Sequence, residues 1–305
     1  MIRECNYRLW FVSSAQVTSP YHNNNRGTHM AMRRWCLLIG QALVICLIFN
    51  LSANAAAARC TNRANVDSRI AGCTIMIEQS RSAAAQLIKA RLARAGAYFN
   101  KGDLDHAIDD YKQVIAAASI DPLSAFNRVT HDLRSHEPLA LSGSDQALRR
   151  DSDRARAYRG LGIASFQAGL LEQSQDGFRR LSAIDPGNAD TALWLDLARR
   201  RAGHASELAS QARRLDMRHW PAPLLRLYLG EETVDGVLAA ADRGGGATRR
   251  LRRCEASFFA GELMLQQNRE AAAIRLIDRA LAECPPGSDM RSVAGAEARV
   301  LSVVP

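Results

Sequence analysis

The 305-residue sequence predicts an all-α chain in which helical hairpins stack side by side as an α-solenoid and a C-terminal helix closes the array. Three observations predict this. Small and apolar residues recur with a 34-residue period, their spacing matches two antiparallel helices, and glycine and proline stand where those helices turn and stop.

The chain opens on a polar leader, residues 1–29, whose "YHNNNRGTH" has no apolar periodicity. It separates the first apolar segment from the N-terminus, so translation is expected to begin at Met30 or Met32, the alternative being an unusually long, disordered leader. Residues 30–55 read as a secretory signal peptide. Arg33 and Arg34 form the basic start, residues 36–49 the apolar core, and Ala53-Asn54-Ala55 the small-residue cleavage site. The core contains Gln41 and falls short of the roughly 20 apolar residues that a spanning helix needs. The alternative is an uncleaved inner-membrane anchor extended by the alanines up to Ala58. Arg59 stands directly before Cys60, where a lipoprotein peptidase requires a small residue, so no lipid anchor is expected.

Cleavage after Ala55 removes five of 40 basic and one of 31 acidic residues, and the formal charge falls from +9 to about +5. Such a chain can meet acidic protein surfaces, wall polyanions or membranes. Nucleic acid is excluded as a partner by export and by the lack of an aromatic-basic motif.

Residues 56–88 form the mature N-terminal segment, and the periodic region runs over residues 89–188 with a degenerate middle copy. The clearest copy is "AYRGLGIASFQAGLLEQSQDGFRRLSAIDP", with Tyr158, Leu161, Gly162, Gly169, Ser174, Phe178, Leu181 and Pro186 at positions 4, 7, 8, 15, 20, 24, 27 and 32. Gly162 and Ser174 are small enough for two helices to approach closely, Phe178 and Leu181 fill the space between neighbours, and Pro186 stops the second helix. An earlier copy keeps Tyr98, Gly102, Ala107, Tyr111 and Val114; a later one keeps Gly261, Ala273, Ile277, Ala280 and Pro285. The pattern resembles the tetratricopeptide repeat.

Between these copies the pattern is worn. Residues 123–153 retain a second helix in "SDQALRRDSD", and residues 189–216 read as a hairpin turning at Gly203. A short helix ends at Gly230, another begins near Thr233, "RGGGATRR" is a loop, and residues 288–304 form the closing helix. Residues 189–305 thus make divergent hairpins, a last full repeat and its cap.

From about Asp153 onward the succession "ADTALWLDLARRRAG", Trp220, "LLRLYLGEETVDGVL" and "CEASFFAGELMLQQN" resembles the NlpI-type family of bacterial periplasmic tetratricopeptide proteins. That resemblance implies a non-enzymatic adaptor for protein or peptide partners of the cell envelope, such as cell-wall hydrolases or a processing protease, often as a homodimer.

Nothing in the sequence argues for catalysis. His106, His131, His136, His204 and His219 lack metal-ligand spacing, no glycine-rich phosphate loop precedes a lysine, and no nucleophile elbow is present. No cofactor and no metal are expected.

Four cysteines stand beyond the signal, and an even set in an exported chain argues for disulfides. Cys254 and Cys284 occupy positions 1 and 31 of one repeat, where antiparallel helix ends converge, so they are expected to pair. Cys60 is expected to pair with Cys73 and to hold a terminus that packing alone would not.

In a stacked array the first helices line a concave face, with positions 2, 5, 9 and 12 turned towards it. These are Arg156, Arg159, Ile163 and Phe166 in one repeat, and Glu255, Phe258, Glu262 and Leu265 in the last. The mixture suits an extended or helical peptide better than a metabolite.

Overall fold

Among the described residues every regular element is a helix, and consecutive helices pack against one another along the chain as in an α-solenoid. The computed structural model describes residues 54–79, 84–118 and 142–303, all within the unit Ala53–Pro305. The leader, the signal core and the polar segment holding His131 and His136 lie outside the described residues.

A helical segment over residues 54–61 is followed by α1 (Val66–Glu78), α2 (Ala84–Lys101) and α3 (Leu104–Ala118). Next come α4 (Ser142–Gln167), α5 (Leu171–Ile184), α6 (Ala189–Arg201) and the single turn α7 (Leu208–Gln211). The chain finishes with α8 (Ala222–Leu229), α9 (Val234–Ala241), α10 (Gly246–Gln266), α11 (Glu270–Glu283) and α12 (Asp289–Val303).

Three hairpins, α2/α3, α4/α5 and α10/α11, fold alike. Their position-20 residues Ala107, Ser174 and Ala273 are all 0% exposed, and Tyr111, Phe178 and Ile277 at position 24 are buried too. The turns are also equivalent. Gly102, Gly169 and Asn268 each take a left-handed conformation, at φ 85°, 74° and 57°. In each the next residue's N–H reaches back along the helix, as in Leu170 N–H to the Ser165 carbonyl at 2.8 Å and Arg269 N–H to Met264 at 2.9 Å. This Schellman pairing satisfies carbonyls at the helix end, and asparagine is the residue that best replaces glycine there.

Close helix approach is visible at Gly162. A β-carbon there would stand 2.7 Å from Phe178 Cζ, Ser174 Oγ donates to the Gly162 carbonyl at 2.8 Å, and Gly177 lies opposite. Gly261 plays the same part, with Ile277 Cδ1 2.8 Å from its would-be β-carbon.

Both cysteine pairs stand at bonding distance. Cys60 and Cys73 have sulfurs 1.98 Å and α-carbons 4.6 Å apart; for Cys254 and Cys284 the α-carbons are 4.7 Å apart. Cys60 is held by packing as well, since it is 4% exposed within the helical segment 54–61, with Ala56 and Cys73 both fully buried.

Several expected boundaries shift. "SDQALRRDSD" is not the end of a worn hairpin: no glycine or proline interrupts it before Ala157, and it is the first part of the 26-residue α4. The hairpin expected over residues 189–216 has α6 as its first helix but only α7 and a 3-10 turn as its second. Asp216 ends that stretch, accepting from Arg218 N–H at 2.9 Å and His219 Nδ1 at 2.6 Å. The "RGGGATRR" loop is shorter than expected, because Gly246 already begins α10. α2 starts at Ala84, ahead of the boundary placed after residue 88.

Gly162→Ala is expected to destabilise the chain by about 1–3 kcal/mol, because the Phe178 ring cannot move aside within the core. Gly261→Ala should cost less, since a flexible Ile277 methyl yields more easily. Urea unfolding of the two variants checks the order.

Candidate functional site

The closing helix α12 does not simply cap α11. It also packs on α10, α2 and α4, so it crosses the face that the first helices present. Arg291 Nη1 donates to the Leu281 and Cys284 carbonyls at 2.7 and 3.1 Å and seats the helix on the end of α11. Ser292 Oγ donates to Asn100 Oδ1 at 2.9 Å and ties it to α2.

The eight expected groove residues divide by what the chain's own elements, α6 above all, place against them. Ile163, Phe166, Phe258 and Glu262 are buried, at 1%, 2%, 0% and 0% exposure, and do not line an open groove. Phe166 and Phe258 pack on Trp194, with ring centroids 5.7 Å away in each case. Leu265 is partly buried against the same core. Arg156, Arg159 and Glu255 remain at the surface or at its edge. The reason is physical: a stripe predicted to face a groove is apolar, and here the chain's own elements cover it.

Glu262 belongs to an ion cluster. Arg201, from α6, donates through Nε and Nη2 to the two Glu262 oxygens at 3.1 Å each, and its Nη2 lies 2.7 Å from Glu297 of α12. The Arg201 guanidinium also lies over the Phe166 ring, 5.0 Å from its centroid. Burial raises the Glu262 carboxyl well above the usual carboxylate range; Arg201 opposes this and the neighbouring Glu297 adds to it.

A second cluster remains open to solvent and forms the candidate site. Arg159 bridges Asp190 at 3.4 Å and Asp289 at 3.2 Å, joining α4, the start of α6 and the start of α12. Glu255 of α10 is near enough to act on Arg159 electrostatically. Trp220 Nε1 donates to Glu255, and Arg252 lies over the Trp220 ring, 5.6 Å from its centroid. Burial pushes the Glu255 carboxyl up to about 7, against the pull of the Trp220 N–H, Arg159 and Arg252. The result is a partly exposed cluster of alternating charge, a shallow crevice at most, beside the Trp220 ring. It offers guanidinium forks and carboxylates to a polar chain.

Arg156, three residues before Arg159 on α4, stands exposed at the edge of this cluster, and it, Arg159 and Glu255 are legible from the repeat register. Asp190, Trp220, Arg252 and Asp289 are not, since each lies outside the periodic positions. The signal available for Trp220 is a lone aromatic residue in the polar run "MRHWPAP". Among the described residues no three His, Cys, Asp or Glu side chains converge as metal ligands. None of the described helices is long and apolar enough to cross a membrane. Comparison with protein-family models and with curated proteins finds no match to this chain.

Replacing Arg201 by methionine leaves two carboxylates buried without their cation, and is expected to destabilise the fold by about 3–5 kcal/mol at neutral pH. The loss is read by chemical denaturation against the wild-type chain. Glu255 has its own pH signature. Its folded pKa lies above the unfolded value, so its contribution is complete below about pH 4.5 and is lost as pH rises through 7. Between pH 5 and 7 the wild-type chain should lose about 1–2 kcal/mol from this group. Glu255→Gln should flatten that part of the profile, as read by chemical denaturation at each pH.

Proposed function

We propose that this chain is an exported, non-enzymatic scaffold of tetratricopeptide-type repeats that holds protein or peptide partners in the bacterial periplasm. The observation that carries the reading is the pair of cysteine couples at disulfide distance, Cys60 with Cys73 and Cys254 with Cys284, in a chain whose N-terminal residues read as an export signal. Bonds of this kind persist in oxidising compartments. The recurring hairpins, with common burial at positions 20 and 24 and a common left-handed turn, support the tetratricopeptide assignment. The shallow crevice around Arg156, Arg159, Glu255 and Trp220 supports recognition of a peptide segment, with rim charges governing encounter. Cell-wall hydrolases or a processing protease are partners of the right kind, and a homodimer is compatible with the same surface.

One observation favours a second reading, an inner-membrane-anchored assembly factor. The helical segment 54–61 runs through the cleavage point, and Ala56 is fully buried. Retention of the preceding segment keeps that helix whole. Intact mass of the exported protein separates the two: a species beginning at Ala56 supports the soluble scaffold, and an uncleaved N-terminus supports the anchor.

The binding face is tested by Arg156→Ala with Arg252→Ala. Crosslinking of envelope partners to this double variant should fall about fivefold or more while its unfolding midpoint stays near that of wild type. Capture equal to wild type by the folded variant would move the partner surface off the crevice.

A further inference from the structure

Beside the crevice lies a cavity of about 430 Å³ whose polar wall is dominated by arginine. Arg63 precedes α1, Arg69 comes from α1, and Arg156 and Arg159 come from α4; Asn100 of α2, Tyr111 of α3 and Asp289 of α12 complete the polar lining. Four cations thus face one carboxylate. Arg159 is already compensated by Asp190 and Asp289. Arg156 is exposed and has only Asp153, at 3.7 Å. Arg63 and Arg69 form no ion pair among the described residues, and Arg69 Nε is buried without a hydrogen-bond partner. A buried N–H left unmet is unfavourable. Burial, and then the charge of Arg63, hold the Arg69 pKa below its ordinary value, with Tyr111 and Asp289 opposing them.

We propose that this cavity is a binding site for the phosphoryl group of a small ligand or a lipid headgroup. The charge decides the class. A single carboxylate would leave most of the positive excess unbalanced, whereas a phosphate monoester or diphosphate brings about two or more charges and oxygens for several donors at once. Arginine forks on separate elements match such an anion. Tyr111 adds a neutral donor, because burial holds its phenol protonated. Gly160 keeps that ring in the wall, since a β-carbon there would stand 2.2 Å from Tyr111 Cζ. The volume, equivalent to about 14 waters at roughly 30 Å³ each, admits a phosphorylated headgroup or small metabolite. The assignment does not depend on the scaffold reading: Arg156 and Arg159 border both surfaces, whereas Arg63 and Arg69 line the cavity and not the crevice.

The test is calorimetric titration of the full chain with inorganic pyrophosphate, together with co-sedimentation on phosphatidylcholine vesicles with and without phosphatidic acid. Pyrophosphate should bind one to one, about tenfold or more weakly to Arg63→Gln and Arg69→Gln, and unchanged to Arg180→Gln, an exposed arginine of α5 outside the cavity lining. Arg63 lies on the surface ahead of α1, so its variant stays informative if Arg69→Gln does not fold. Co-sedimentation that requires phosphatidic acid and Arg63 assigns a lipid headgroup; pyrophosphate binding without it assigns a soluble ligand. Absence of pyrophosphate binding, equal binding by Arg63→Gln and wild type, or tighter binding of a triglutamate peptide than of pyrophosphate would overturn the proposal.

Discussion

The burial of one indole holds this array together. Trp194 is 0% exposed on α6, with Phe178 of α5 stacked at 5.8 Å, Phe166 of α4 edge-on at 5.7 Å, and Phe258 and Phe259 of α10 at 5.7 and 5.1 Å. Each such ring contributes a large apolar area, and the offset and edge-on pairs add to it. A solenoid ordinarily passes stress from each repeat to the next. Here one side chain joins the central hairpin directly to the last one, and α7, α8 and α9 are carried between them.

The ionic contacts depend on that junction. Arg201 lies two turns beyond Trp194 on the same helix, and the aromatic cluster places its guanidinium over Phe166, within reach of Glu262 and Glu297. Glu297 in turn fixes α12 across the first helices. Ion pairs such as Lys101 with Asp67, exposed on both sides, contribute little to stability. The Arg201 cluster differs because breaking it strands charge in the interior. The site is thus a consequence of closure: Trp194 and Arg201 of α6 bury the apolar part of the expected groove, and Asp289 at the start of α12 meets Arg159 at its open edge.

What is legible in the sequence is what depends on near neighbours. The hairpins, the small residues at Gly162 and Gly261, and the meeting of Cys254 with Cys284 all derive from a 34-residue period and antiparallel geometry. Asn268 shows the limit of motif matching, since it occupies a left-handed turn position without being a glycine. The period puts Phe166 and Phe258 on the inner stripe of their helices, but their exposure depends on partners far along the chain. Arg159 meets Asp289 across 130 residues, and Arg201 meets Glu262 across 61. No periodicity encodes such pairs. Trp194, the residue on which most packing converges, lies outside the repeat motif and carries no local signal of its role.

The Trp194 junction makes the central and last hairpins one cooperative body. Native-state hydrogen exchange measures this most directly. The slowest amides of α4, α5, α6 and α10 should exchange through a common opening of one free energy, and Trp194→Leu should separate α10 from the others. Exchange of α4 and α5 through an opening distinct from that of α10 in the wild-type chain would contradict it.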